Sequence, residues 1–179
     1  MKKLLLSGIF IFTISLTTKA QNNIIICKDG SEISGKGLFT IVGDDLNQHD
    51  GTQKGGMMFV TVKGNDIYLN GKGMGQDLIK AFSYEKDVIY TFDENYNKIP
   101  YLIFYKNHIK EYNGTIEGGK GLCTINGNNI MTYNGSFNGG SCMASMENPI
   151  SKQMQSAVMI GFLIYGQSKT FNGIFNFNK

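Results

Sequence analysis

Residues 112–146 say the same thing twice, and an internal repeat constrains a fold more tightly than any composition does. The first copy reads Tyr112-Asn113-Gly114-Thr115-Ile116-Glu117-Gly118-Gly119-Lys120-Gly121-Leu122-Cys123-Thr124-Ile125. The second starts 21 positions later (133 − 112 = 21) as Tyr133-Asn134-Gly135-Ser136-Phe137-Asn138-Gly139-Gly140-Ser141-Cys142 and ends Met143-Ala144-Ser145-Met146. A third copy lies upstream: Asp29-Gly30-Ser31, three variable residues, then Gly35-Lys36-Gly37-Leu38-Phe39-Thr40-Ile41. It precedes the first by 84 positions (119 − 35 = 84), four times 21, with no complete copy visible between them. Phe171-Asn172-Gly173-Ile174-Phe175 adds a half-unit near the end.

The chemistry of the unit is that of a β-hairpin. Asn-Gly and Gly-Gly tolerate positive φ, and the flanks carry β-branched and aromatic side chains. Gly-Lys-Gly inside a strand leaves room for an aromatic ring or a neighbouring backbone to lie against it. One hairpin cannot bury its apolar face alone, whereas stacked neighbours can. The expected fold is therefore mostly β: antiparallel hairpins stacked into an elongated sheet or roll, with at most one or two short helices. Further strands are expected at 23–28, at 58–63 and 66–69 around Gly64-Asn65, and at 88–92 and 101–105 around a polar loop. Residues 76–84 suit a helix or a strand. Residues 150–161 are the one helical candidate, with Ile150, Met154, Ala157 and Val158 on one face, and the apolar run 159–165 reads as a strand.

The pattern Tyr-x-Gly-x-apolar, then Gly-x-Gly, then a second Tyr-x-Gly resembles the MORN repeat, a short hairpin that stacks into an elongated sheet. The resemblance covers 112–146 and 171–175, and more loosely 29–43. The Gly-x-Gly follows Gly114 sooner than is usual in that family, and its characteristic Trp is absent, the chain having none. The resemblance implies a non-catalytic scaffold that contacts proteins or lipid surfaces.

Residues 1–20 read as a secretory signal peptide: Met1-Lys2-Lys3, an apolar run from Leu4 to Leu16, and Thr18-Lys19-Ala20 as the cleavage site. Residues 21–179 then form a single β-rich domain, and the mature chain is expected to be exported to the periplasm, the cell surface or the medium. The formal charge of +3 comes from Lys2, Lys3 and Lys19, so the remainder balances 14 Lys (17 − 3 = 14) against 14 acids. Arg, the usual reader of guanine and phosphate, is absent. Nucleic acid is thereby excluded as the expected partner. A membrane-spanning helix is not expected after signal cleavage.

Three Cys permit one internal disulfide, for which Cys123 and Cys142 are the expected pair; buried free thiols are the alternative. The polar stretch 43–56 gathers Asp44, Asp45, His49 and Asp50, oxygen and imidazole groups suited to a divalent cation or to acid–base work. Its structural alternative is a solvated loop. Gly30 to Lys36 starts like a phosphate-binding loop but lacks the Ser or Thr and the helix that should come next. Cys142, Met143 and Met146 could hold Cu(I), yet Met143 and Met146 stand where Leu122 and Ile125 stand in the other copy, which makes them core. His108 reads as an ordinary surface or edge residue. No catalytic set and no cofactor site emerges. The leading expectation is an exported, non-enzymatic hairpin-repeat protein that binds a protein or glycan surface. Its rivals are a small hydrolase or metal-dependent enzyme using residues 43–56, and an eight-stranded outer-membrane barrel.

Overall fold

The period of 21 runs through the whole barrel wall. The computed structural model describes residues 23–27, 37–70 and 78–166. The proposed signal peptide, the first half of the upstream copy and the half-unit at 171–175 lie outside these. Twelve antiparallel strands occur in order: β1 (Asn23–Cys27), β2 (Gly37–Val42), β3 (Asp45–Gln48), β4 (Met58–Lys63), β5 (Asp66–Asn70) and β6 (Leu78–Glu85). Then come β7 (Val88–Phe92), β8 (Lys98–Tyr105), β9 (His108–Glu111), β10 (Gly121–Asn126), β11 (Asn129–Thr132) and β12 (Cys142–Met146). Each strand pairs with its sequence neighbours, and β1 also pairs with β12, so the sheet closes into a barrel. The expectation of stacked hairpins holds, but the open sheet or roll does not. Closure removes both edges, which are otherwise templates for unwanted pairing.

Five hairpins turn through two residues each: Gly43-Asp44, Gly64-Asn65, Lys86-Asp87, Lys106-Asn107 and Gly127-Asn128. The first residue of every turn has positive φ, from 46° to 63°, as tight hairpins require. The carbonyl of every second residue accepts a hydrogen bond from the next repeat, donated by the N–H of Val62, Tyr84, Phe104, Ile125 or Met146 at 2.7–2.9 Å. The sixth unit is assembled from both ends of the chain, β12 with β1. There the side chain of Asn23 stands in for a turn: its Oδ1 accepts from the Glu147 and Asn148 N–H groups, and its Nδ2 donates to the Asn148 carbonyl.

Between each short strand and the long strand after it the register slips by one residue. The extra residues are Leu38, Phe59, Ala81, Tyr101, Leu122 and Met143, one β-bulge per repeat. Bulges raise local twist and bend a strand, which helps a sheet to close. Beside each bulge sits one core pair: Ile25–Phe39, Leu46–Val60, Ile67–Phe82, Ile89–Leu102, Ile109–Cys123 and Ile130–Ala144. The six short-strand members are all fully buried. They form the continuous apolar layer that no single hairpin could supply.

A fifteen-residue helix, α1 (Lys152–Gly166), fills the lumen. Every residue from 156 to 162 is buried, and a helix buried all round must be enclosed. Its contacts lie on opposite walls: Phe162 on Phe39, Gly161 against Leu46 and Phe59, and the Met159 sulfur 3.5 Å from Cys123 Sγ. The run 159–165, expected as a strand, is therefore helix: a continuous apolar run suits either element, and here the lumen decides. Residues 78–84, left open between helix and strand, belong to β6. Ser151 caps the start of α1, its Oγ accepting from the Met154 N–H. Lys152 reaches Asp87 in the β6–β7 turn, so the helix enters at the end carrying the two-residue turns and leaves toward the end carrying the longer loops.

Cys123 and Cys142 are free thiols. Because β11 stands between their strands, their backbones lie two strand spacings apart, ~9.6 Å, beyond the ~7 Å a disulfide spans. The expected disulfide is not formed. Cys123 is buried and its thiol is pushed up to about 12 by desolvation; the Cys27 side chain lies outside the described residues. In the folded protein, half-buried Cys142 should react with an aromatic disulfide reagent, and Cys123 only after unfolding. A non-reducing mass showing Cys123 linked to Cys142 would contradict this arrangement.

Candidate functional site

The stretch 43–56 does not gather its four polar residues. Asp44 sits in a two-residue turn and Asp45 opens β3, whereas His49 and Asp50 lie beyond the other end of that strand. Four residues of strand separate Asp45 from His49, ~13 Å. Among the described residues no group of three or more His, Cys, Asp or Glu side chains is placed to hold a metal ion.

Directly after β3 the chain carries a further copy of the repeat loop. Asp50-Gly51-Thr52-Gln53-Lys54-Gly55-Gly56 aligns with residues 113–119 and 134–140. Asp50 Oδ1 accepts from the N–H and hydroxyl of Thr52 at 2.9 and 2.7 Å. Asn113 does the same for Thr115, and Asn134 for Ser136. The Thr52 hydroxyl, then its N–H, holds the Asp50 carboxyl below the usual range. In all three loops the second and sixth residues have positive φ, 80–91° and 67–74°. The seventh, Gly56, Gly119 or Gly140, donates its N–H back to Gln48, Glu111 or Thr132. Asp50 thus shapes a turn. The same bonds show that Asn113 and Asn134, which match glycosylation acceptors in sequence, are turn residues of the repeat.

His49 occupies the position of Tyr112 and Tyr133. Its ring covers Gly37, as the Tyr133 ring covers Gly121: a Cβ on either glycine would lie 2.2–2.3 Å from ring atoms. The expectation that the Gly-Lys-Gly strand admits an aromatic ring is met. His49 Nδ1 also bonds Thr40 Oγ1 at 2.8 Å. His108 is buried on β9, not at the surface. Its Nδ1 lies 2.9 Å from Thr124 Oγ1 and its ring packs edge-on to Tyr133. Burial first, then Lys110 and Lys106, holds the imidazole below its usual pKa. Among the described residues neither histidine is hydrogen-bonded to a thiol or a carboxylate; each bonds a threonine hydroxyl.

Charge gathers instead where α1 enters the lumen. The Tyr84 hydroxyl donates to Asp87 Oδ1 at 2.9 Å, and Lys152 Nζ reaches the same oxygen. Lys152, and then Tyr84, holds Asp87 below the usual carboxylate range. Burial, reinforced by Asp87, pushes Tyr84 up to about 12. This cluster fastens the helix to the wall.

The folded-back loops leave large apolar tips in water. Ile116 and Phe137 hold the same loop position one repeat apart, with exposures of 79% and 68%, and Tyr96 lies one repeat earlier at 76%. The Phe137 carbonyl accepts from Asn107 Nδ2 in a two-residue turn, so this loop lies along the outer wall of the barrel. Beneath the loops runs an outward row, Thr40, Ile103 and Thr124, contacted by Gly55, Gly118 and Gly139. Sequence reasoning placed Ile116 and Phe137 in the repeat without singling them out. Their signal was the fourth loop position, which needs no side chain for folding and carries Gln53 in the earlier copy. No protein family, curated protein or solved structure matches the chain.

Proposed function

We propose that this is an exported, non-enzymatic binding module that engages a protein or glycan surface through the loops on the outer wall of the barrel. The observation that carries this reading is Ile116 and Phe137: two large apolar side chains at the same position of two folded-back loops on consecutive repeats, each more than two-thirds exposed, with Tyr96 exposed in the shorter turn one repeat earlier. Neighbouring tips sit two strand spacings apart, ~10 Å. Isolated exposed apolar residues are ordinary, but rows of them mark interaction sites. Aromatic anchors of this kind carry much of the binding energy at interfaces. The resemblance to the MORN repeat implies the same non-catalytic role.

The rival readings find less support. The strands are four to eight residues long, against the ~9–11 a membrane strand needs. The apolar face points inward onto α1, the reverse of a membrane barrel. For an enzyme, the buried Cys123 thiol and the two hydroxyl-bonded histidines offer no activated nucleophile.

The test compares residues 21–179 with a Tyr96→Ser/Ile116→Ser/Phe137→Ser variant on arrays of envelope polysaccharides and on purified envelope proteins. Binding by the native chain that falls about tenfold or more in the variant is the expected result. Equal binding by both would overturn the proposal.

A further inference from the structure

We propose that the outer face of the β6–β7 hairpin is a binding site for a neutral polysaccharide, with the Tyr90 ring as its platform and Lys98, Glu85 and Ser83 as its polar groups. This rests on the binding-module reading above, but it places the ligand between the loops and not on their tips.

In three hairpins a loop glycine presses on one directly paired couple of the outer wall. Gly55 meets Thr40 and Asn47, Gly118 meets Ile103 and Lys110, and Gly139 meets Thr124 and Met131. The same couple in the β6–β7 hairpin is Ser83 and Tyr90. No glycine of the described loops is set against it, because the connection that follows does not fold back. β7 and β8 stay paired as far as Phe92 and Lys98, and the Asp93 N–H donates to the Asn97 carbonyl to close the turn.

The ion pair of Lys98 with Glu85 covers this couple instead. Glu85 lies beside Val88 and Lys98 beside Phe92, so the pair runs four residues along β7, ~13 Å, and crosses Tyr90 between them. Lys98 Nζ stands 5.7 Å from the centroid of the Tyr90 ring. The two side chains are 36% and 44% exposed. An exposed ion pair holds little energy, whereas the loops are tied down by backbone hydrogen bonds. The cover over Tyr90 therefore opens more readily than a loop does. Beneath it the Ser83 hydroxyl is buried without a hydrogen-bond partner among the described residues, whereas the matching Thr40 and Thr124 hydroxyls bond His49 and His108. Buried polar groups left in that state are uncommon.

These groups select the ligand. Opening the pair presents an aromatic ring, an ammonium donor and a carboxylate acceptor, with no net charge. Asp66, beside Ser83, is likewise neutralised by Lys80. A pyranose chain meets all three: its C–H face suits the negative face of a ring, and each of its hydroxyls both donates and accepts. A polyanion would meet Glu85 and a polycation Lys98, and like-charge contacts of this kind select against both.

The test titrates the mature chain, residues 21–179 with carbon-13 in its tyrosine rings, with cellohexaose, laminarihexaose and mannohexaose, and with hexagalacturonate as the charged comparison. Nuclear Overhauser contacts between the Tyr90 ring and the protons of at least one neutral hexasaccharide are the expected result. Affinity for that sugar should fall about tenfold in Tyr90→Ala. Replacing residues 93–98 by the sequence of residues 113–119 restores the folded-back loop and should abolish binding. That variant keeps the Tyr90 ring, so it decides the matter even if Tyr90→Ala does not fold. Ile116→Ser/Phe137→Ser should bind the sugar unchanged. Sugar binding lost in this tip variant, without contacts to Tyr90, would uphold the loop tips as the binding surface and overturn the site on β6–β7. Tighter binding of hexagalacturonate, no contact of any hexasaccharide with Tyr90, or full binding after the loop replacement would each overturn it as well.

Discussion

Met159→Asp should leave the mature protein without a cooperative unfolding transition. Met159 is fully buried, with its sulfur against Cys123 on the barrel wall. Losing its apolar contact costs about 1.5–3 kcal/mol, and an unpaired carboxylate in its place costs several more. Native domains hold only about 5–15 kcal/mol in total. Among the described residues the nearest neighbours offer no cation, so the carboxylate must protonate, draw in water or expel the helix. Far-UV circular dichroism against temperature reads the outcome. Ile164→Asp, five residues further along at a half-exposed position, should change stability by about 0.5 kcal/mol or less. Comparable melting of Met159→Asp and the native chain would mean that α1 does not occupy the lumen.

The contrast between those two helix positions also shows where sequence reasoning reached its limit. A helix on the surface of a sheet shows apolar residues on one face, and residues 150–158 suggest such a face. An enclosed helix shows no preferred face, so residues 159–165 lost their helical signature and resembled a buried strand. The enclosure itself is a property of the closed barrel, and closure is invisible in any one repeat. It depends on β12 finding β1 across nearly the whole chain, a pairing with no local turn to announce it; Asn23 supplies that turn from its side chain.

The repeat was legible where its loop kept glycine and blurred where it did not. The copies at 112–146 stand out because Asn-Gly and Gly-Gly recur at fixed offsets. In the units around β5 to β8 the two-residue turn Lys86-Asp87 adopts positive φ without glycine, and residues 93–97 replace the seven-residue loop with a shorter turn tied by Asp93. What persists there is one buried Ile per short strand and one bulge per long strand. Neither has a residue signature of its own. The same blurring created the false site: with β3 reduced to Asp45-Leu46-Asn47-Gln48, only Leu46 marks the strand, and the surrounding acids and His49 look like a polar loop. The copy of the loop at 50–56 stood three periods before residue 113 (113 − 50 = 63) and would have identified Asp50 as a turn residue.

Gly121→Ala should destabilise the barrel by about 2–3 kcal/mol, at the upper end of what overpacking costs. The added methyl would sit 2.3–2.4 Å from three carbons of the Tyr133 ring. That ring has little room to yield, since it also packs on His108 and leads into the loop fastened by Asn134. Moving it would disturb His108, whose Nδ1 bonds the fully buried Thr124. Tyr133→Ala removes the obstacle, so the double variant should be more stable than the sum of the single losses by about 1–2 kcal/mol. Urea unfolding of the four proteins measures this coupling, and additivity within about 0.5 kcal/mol would show that the ring and the glycine do not depend on each other. The first repeat supplies the companion case, because His49 covers Gly37 in the same way. His49→Tyr restores the residue that two other repeats use there. It gives up the bond to Thr40 but keeps the ring on the glycine, and it should cost about 1 kcal/mol, the net worth of one such hydrogen bond. His49→Ala uncovers both Gly37 and Thr40 and should cost clearly more. If the two variants are equally damaging, the imidazole is needed for something other than covering the strand, and the loop after β3 would again be a place to look for chemistry.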